Sequence, residues 1–386
     1  MQRVVIGLSG GVDSSVAAYL LKEQGYEVVG LFMINWHDTT GTLEGDCPWH
    51  DDRVFAELVA RRLDIPFHVV DLSEEYRRRV VDYMFAEYER GRTPNPDVLC
   101  NREIKFDVFL KEALRLGADF VATGHYCRRE CVAAADGTEH YRLLAGVDGN
   151  KDQSYFLCQL SQEQLSRALF PVGGLTKPEV RRIAEEQHLA TARRKDSQGI
   201  CFVGKVDLPV FLQQKLAARK GNVHEIRADW PKYARTVAPD DLPALAEPWR
   251  YTVRDGKKIG EHNGAHFYTV GQRKGLGLAM GAPVYVCGKD MQANTVTVGP
   301  EEMLFDRIVY ADEVNWIAIP ELTGPLRVTA RTRYHQAEQQ ATVYPAENGF
   351  RLEFDQPQRA PTPGQAVVLY QGDTVLGGGT ITRVEK

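Results

Sequence analysis

VVIGLSGGVDSSVAAYLL, residues 4–21, decides the fold. Residues 4–8 read as a buried strand and residues 14–23 have helical periodicity, with Gly25 placed to end the helix. Between them lies the turn Ser9-Gly10-Gly11-Val12-Asp13-Ser14-Ser15. Two adjacent glycines permit positive φ and close backbone approach. Successive amides then form an anion nest, extended by the N-terminus of the following helix. Ser9, Ser14 and Ser15 add hydroxyl donors, so a phosphate group is the ligand this turn favours. No lysine follows the glycines, as it would in a Walker-type loop. Asp13, odd beside an anion, reads either as a helix cap or as a ligand organising Mg2+ next to phosphates.

The same alternation continues outward. Strands are expected at 28–33, 67–70 and 120–123, with helices at 51–63, 73–90 (Ser73 as N-cap), 105–116 and 176–188. Strands alternating with helices predict an α/β domain with a parallel sheet and helices on both faces. Ligands bind at the carboxyl ends of such strands, which here carry SGGVDSS, FMINW, VVDLS and TGHY. Beyond about residue 206 the texture changes. The stretch near 221–258 is rich in Pro, Asp and Trp without clear period and reads as an insert. From about 283 short alternating segments predict an antiparallel β-barrel. The expected division is 1–205, a small central domain at 206–281, and a C-terminal barrel at 282–386.

With 386 residues, 43% of them hydrophobic and 26% charged, the chain has the composition of a globular protein with two or three domains. No apolar run is long enough to span a bilayer, and the first strand starts too early to leave room for a leader, so a cytoplasmic location is expected. A net charge of −5 does not advertise nucleic-acid binding, although local clusters matter more than the sum. Such clusters occur at Arg77-Arg78-Arg79, Arg181-Arg182, Arg193-Arg194-Lys195 and Arg327/Arg331/Arg333; each alone reads as a solvated face.

The seven cysteines do not suggest a disulfide scaffold, and Cys127 and Cys131 lack a second pair at zinc-like spacing. Two of the seven sit in notable surroundings. In GRTPNPDVLCNREIKF, two prolines make a non-helical approach to a helix bearing Cys100 near its N-terminus, with Arg102 and Lys105 close by. Both features favour thiolate, the nucleophilic form. In RRKDSQGICFVG, Cys201 follows a basic run and a flexible turn, a setting suited to accepting and delivering sulfur. For each, a buried structural cysteine is the bland alternative.

The loop resembles the SGGxDS loop of the PP-loop ATP pyrophosphatases, whose members cleave ATP between the α and β phosphates and have an adenine-nucleotide alpha-hydrolase-like fold. With GLFMINW, GRTPNPDVLCNREIKF, ATGHY, NKDQSYFL, LFPVG, KDSQGICFVG, IGEHNGAHFYTVGQRKGLG, TRYHQ, TPGQAVVLY and GGGTI, the chain resembles the bacterial tRNA-specific 2-thiouridylase (MnmA) family over nearly its whole length.

The resemblance implies ATP-dependent replacement of the 2-oxo oxygen of the wobble uridine by sulfur, in the tRNAs for Lys, Glu and Gln. It assigns ATP to Gly7, Leu8, Ser9, Gly10, Gly11, Val12, Asp13 and Ser14, with Met33 and Gly124. It makes Cys201 the persulfide carrier and Cys100 its partner, which attacks the persulfide and leaves a Cys100–Cys201 disulfide that external reductant reopens. Asp97 is implied as acid/base, and Asn95, Pro96 and Asp97 as the segment meeting the flipped base. Lys151, Asp152, Gln153, His125, Arg333, Tyr334 and Gln365 match tRNA-contact positions. The sulfur source is implied to be a cysteine desulfurase or a carrier protein, and no membrane is involved. The other five cysteines match no catalytic position, and core packing is expected for them. Three rival readings stay open: another PP-loop synthetase acting on a small metabolite, a nucleotide-gated RNA-binding module, and a variant in which Asp97, Cys100 and Cys201 hold an iron–sulfur cluster.

Overall fold

In the computed structural model the residues described are 1–37, 48–133, 137–196, 201, 203, 204, 207–227, 256–278 and 282–386. Most of the expected insert, and Cys47, lie outside the described residues.

The first sheet is built from β1 (Arg3–Gly7), β2 (Glu27–Ile34), β3 (Phe67–Asp71) and β4 (Phe120–Ala122). A hairpin, β5 (Cys127–Ala133) and β6 (Glu139–Ala145), follows before the short last strand β7 (Ala168–Leu169). The order β3-β2-β1-β4-β7 is parallel throughout. Side chains alternate between faces along a strand, and β1 divides its burial accordingly. Val4 and Ile6 pack with Val16, Ala17 and Leu21 of α1 (Val12–Glu23) and with Ala56, Val59 and Ala60 of α2 (Pro48–Leu63). Val5 packs on the opposite side with Tyr76, Val80 and Met84 and with Ile104 and Phe109. Gly25, at φ +85, ends α1 where a Cβ would be strained.

Two helices on that second side differ from expectation. The helix over residues 73–89 is capped by Leu72, not Ser73, because the Asp71 carboxylate accepts the Ser73 N–H at 2.9 Å. The helix carrying Cys100 begins at Pro96, not 105, and runs through residue 115. Asn95 caps it, accepting from Val98 N at 3.3 Å, and Pro96 takes the first position, where its missing N–H costs nothing. Each helix contains a stretch of wide i→i+5 turns, Arg77–Val81 and Asn101–Val108.

The central sheet comprises β8 (Gly221–Glu225), β9 (Lys257–His262), β10 (Tyr285–Asp290) and β11 (Thr295–Gly299), in the order β10-β11-β8-β9. The expected boundary at 281/282 therefore falls too early, because β11 hydrogen-bonds to β8 and carries residues up to Gly299 into the central sheet.

The C-terminal strands are β12 (Phe305–Trp316), β13 (Leu326–Arg331), β14 (Gln339–Ala346), β15 (Gly349–Arg359), β16 (Ala366–Gln371) and β17 (Thr374–Glu385). They run antiparallel in the order β12-β15-β14-β13-β16-β17 and close through β12–β17. Closure removes the free edges of a sheet. Val309, Val343, Phe350, Leu352, Phe354 and Leu369 fill the interior. The β5–β6 hairpin joins this sheet rather than its own domain's, with Thr374 opposite Leu144 and Val375 opposite Leu143.

Candidate active site

The glycine-rich turn sits at the carboxyl end of β1. Gly10 has φ +75, and a Cβ there would lie 2.2 Å from the Asp52 carbonyl oxygen, so α2 closes on bare backbone. Gly124, just after β4, approaches the start of α1 so closely that a Cβ would meet Ser14 N at 2.7 Å. A Cβ on Gly7 would lie 3.6 Å from Met33 Cε, which places Met33 beside the loop. Ser14 Oγ accepts Ser9 N–H at 3.2 Å and donates to Gly11 O at 3.2 Å; Ser15 Oγ donates to Gly11 O at 2.7 Å. These bonds hold Leu8, Ser9, Gly10, Gly11 and Val12 in a turn whose N-terminal amides precede α1.

Asp13 neither caps α1 nor stands open as a metal ligand: Gly11 is the N-cap. The Asp13 carboxylate takes Lys177 Nζ at 2.7 and 2.8 Å and the Tyr126 hydroxyl at 2.6 Å. Lys177, at the start of the Lys177–Glu186 helix, also pairs with Asp196 at 2.8 Å. Burial works against the Asp196 carboxylate, but hydrogen bonds from Lys151 and Lys177 outweigh it and bring it down to about 2. Arg194 donates to Gly10 O at 2.8 Å and pairs with Asp52 at 2.8 Å. Arg194 is thus folded onto the loop, while Arg193 and Lys195 on either side of it are exposed. Sequence reading missed Lys177 and Arg194; the capping box of Thr176 with Glu179 was the available signal for where the Lys177 helix starts.

Asp97, Cys100 and Cys201 come together at the carboxyl side of the same sheet. The Cys201 main chain is held from both ends: its N–H donates to Asp97 Oδ1 at 3.0 Å, and its carbonyl accepts the Tyr76 hydroxyl at 2.6 Å. The Cys100 and Cys201 thiols are hydrogen-bonded to each other, and both are free cysteines. Here the structure reverses an expectation. Burial pushes the fully enclosed Cys100 thiol well up, and its bond to Cys201 adds to this. That same bond brings the Cys201 thiol down, assisted by the Lys105 ammonium against burial. The thiolate is therefore favoured on Cys201, not Cys100. Arg102, expected to help Cys100, instead bonds Glu103 at 2.8 Å. Burial pushes the Asp97 carboxyl up, opposed by the Cys201 N–H and Lys105. A carboxyl raised in this way is suited to proton exchange.

His125 is 7% exposed, between Phe106 and Phe170. Its Nε2 lies 3.5 Å from Lys105 Nζ and its Nδ1 2.7 Å from Thr123 Oγ1. Burial and the neighbouring ammonium keep its pKa well below the usual histidine value. Because an ammonium can only donate, Nε2 is the acceptor and Nδ1 carries the proton.

Several other expected tRNA-contact residues spend their polar atoms within the protein. Asp152, 3% exposed, accepts from Gly146 N and Ser154 N and pairs with Arg331 at 2.9 Å. Gln153 accepts the Tyr126 N–H at 3.0 Å. Gln365 donates to Thr93 O at 2.9 Å and Pro94 O at 3.1 Å, and so secures the approach to Pro96. Arg333 donates to Val270 O, Ala360 O and Thr362 Oγ1, linking the central domain to the barrel. Lys151 is partly open and pairs with Asp196 at 2.7 Å. The Tyr334 ring lies 4.3 Å from that of Phe156, tilted by 39°. Asn95 lines a cleft between the cysteine helix and the barrel, with Tyr83, Arg102, Gln159, Glu313 and Thr380.

Among the described residues no three His, Cys, Asp or Glu side chains converge as metal ligands. Asp97, Cys100 and Cys201 do not form such a group, and the Asp13 carboxylate is already paired with Lys177 and Tyr126. Cys127 and Cys158 are buried as expected, Cys287 is half-buried, and Cys131 is exposed, contrary to core packing, because β5 ends that sheet.

Three family models match the chain: a tRNA methyl transferase HUP domain over residues 2–205, a tRNA methyl transferase PRC-barrel domain over 250–300, and an aminomethyltransferase beta-barrel domain over 306–381. Among curated proteins, the chain is 54% identical to a tRNA-specific 2-thiouridylase MnmA of Christiangramia forsetii, spanning 99% of this chain and 100% of that protein. The protein of the same name from Flavobacterium johnsoniae is 53% identical, with 99% and 100% covered. That from Shouchella clausii is 47% identical, with 100% and 97% covered.

Proposed function

The chain belongs to the tRNA-specific 2-thiouridylase (MnmA) family and is a tRNA sulfurtransferase, and from that premise we propose an ATP-dependent route through Cys201 and Cys100. In this route the uracil O2 of the wobble uridine attacks the α-phosphorus of ATP held at residues 7–14, and pyrophosphate leaves. Cys201, loaded by a persulfide donor, presents its outer sulfur to C2, and a C–S bond forms. Cys100 gives its proton to Asp97 and attacks Cys201 Sγ, breaking the S–S bond and returning its electron pair to the sulfur on C2. The C2–O bond breaks, and AMP carries the oxygen away. The two electrons gained by the transferred sulfur come from the two cysteines, which end as a disulfide; an external dithiol reopens it. The tRNAs for Lys, Glu and Gln are the expected substrates, and a cysteine desulfurase or its carrier the expected donor.

One observation carries this reading: thiols far apart in sequence meet beside Asp97, on the strand ends that also hold the glycine-rich turn. The test is thiolation of unmodified tRNA by the purified protein with ATP and a persulfide donor, following 2-thiouridine and AMP together. Equal amounts of the two products are expected, and both Cys100→Ser and Cys201→Ser are expected to abolish 2-thiouridine. Thiolation without ATP, or by a protein lacking both cysteines, would sink the proposal.

A further inference from the structure

We propose that Lys105 is a catalytic residue of sulfur transfer: its ammonium is the counter-charge for anionic sulfur on Cys201, and His125 is the positioning residue that holds it there. This rests on the reading of Cys201 as the sulfur carrier and adds the group that keeps that sulfur nucleophilic.

The geometry begins in the helix. Cys100 and Lys105 are five residues apart, which in an α-helix of 3.6 residues per turn separates them by about 140°. The segment between them, Asn101–Val108, is wound in i→i+5 turns instead. Such turns bring residue i+5 above residue i, and they occur often at functional sites. The wide winding therefore puts the Lys105 side chain on the Cys100 face, where it hydrogen-bonds Cys201. From the other side its Nζ lies 3.5 Å from His125 Nε2, whose ring is fixed by Thr123 at 2.7 Å. A neutral imidazole accepts from the ammonium without repelling it; a protonated one would not. Although burial disfavours its charge, Lys105 is held cationic by Cys201, Cys100 and Asp97.

The groups facing Cys201 are Cys100, Asp97, Lys105 and Tyr76. Among the described residues, Lys105 alone of these is a cation. Asp97 is anionic when ionised, and Tyr76 donates to the main chain. When Cys201 takes sulfur, its thiolate attacks the outer sulfur of the donor persulfide. The donor's S–S bond breaks, and the donor cysteine leaves with the electron pair. The product on Cys201 is a persulfide anion in the same place, so one fixed ammonium serves both the acceptor and the loaded carrier.

The experiment follows alkylation of Cys201 by iodoacetamide against pH in the full-length protein, read by peptide mapping so that Cys100 is counted separately. In the unaltered protein the Cys201 midpoint should lie below the ordinary thiol value of about 8.5. Lys105→Gln should raise it by about one unit or more and slow single-turnover sulfur transfer about tenfold or more. Lys105→Arg, which keeps the charge, should hold the midpoint near that of the unaltered protein. A midpoint at or above the ordinary value in the unaltered protein overturns the proposal without any variant. An equal rise in the Arg and Gln variants assigns the effect to packing and overturns it too. Cys201→Ser separates the two levels. If that protein still thiolates, the carrier reading fails; if it is inactive while Lys105→Gln behaves as unaltered, only the role of Lys105 fails.

Discussion

At the scale of single residues, the turn after β1 works through what its side chains lack. Gly10 combines φ +75 with a carbonyl 2.2 Å from where a Cβ would sit. Gly10→Ala must therefore strain the turn and push α2 away. It should cost about 1–3 kcal/mol of stability and weaken nucleotide binding, as measured by urea unfolding and ATP titration on the same protein. Wild-type stability with unchanged ATP affinity would contradict this account. The lysine missing from the turn has a counterpart in space: Lys177 reaches Asp13 from a helix 164 residues further along the chain. Nothing local to the turn signals that arrival.

At the scale of elements, the two wide-turn helices do the positioning. One, over residues 96–115, supplies Asp97, Cys100 and Lys105; the other, over residues 73–89, supplies Tyr76. Tyr76 is fully buried and donates to the Cys201 carbonyl. Tyr76→Phe should cost about 1 kcal/mol, the usual net worth of one hydrogen bond. Its larger effect should be on order: the Cys201 segment loses one of its two main-chain anchors. Thiolation should fall while ATP affinity is kept, and Cys201 alkylation at fixed pH should change. Equal thiolation by the Phe variant would show that the Asp97 anchor suffices. The i→i+5 turns themselves were not legible beforehand. Apolar periodicity reports which face is buried, and a widened turn shifts that pattern too little over eight residues to be read.

At the scale of the whole molecule, the barrel and the nucleotide domain are fastened next to the site. The β5–β6 hairpin leaves its own domain to pair with β17, Asp152 pairs with Arg331, and Gln365 binds the carbonyls before Asn95. Asp152 is only 2% exposed at its side chain, so Arg331→Met leaves a buried carboxylate without its cation. Such losses cost about 3–5 kcal/mol. Denaturant unfolding should show the barrel separating earlier from the N-terminal domain, with tRNA binding lost before ATP binding. A single unshifted transition would mean that the pair contributes little to holding the domains together.

The residues expected to touch tRNA divide along the same line. Asp152 and Gln365 bond across domains, Gln153 bonds within the N-terminal domain, and Tyr334 and Lys151 stay partly open. A motif match reports that a residue type is required at a position, but not whether a ligand or the protein itself requires it. The domain boundary near 281 failed for a related reason: alternation identifies β10 and β11 as strands, and only the ladder to β8 says which sheet they join.

The sequence by itself determined the parallel sheet, the glycine-rich turn, the barrel strands and the two cysteines, because alternation, helical period and turn chemistry act over a few residues. Tertiary structure alone decided that Cys201, not Cys100, is the thiol poised to ionise. That depends on burial of Cys100, on Lys105 and on an Asp97 anchor 104 residues away in the chain. Electrostatics inside a protein is set by which charges meet and how much water remains between them, and neither is written in any short stretch of sequence.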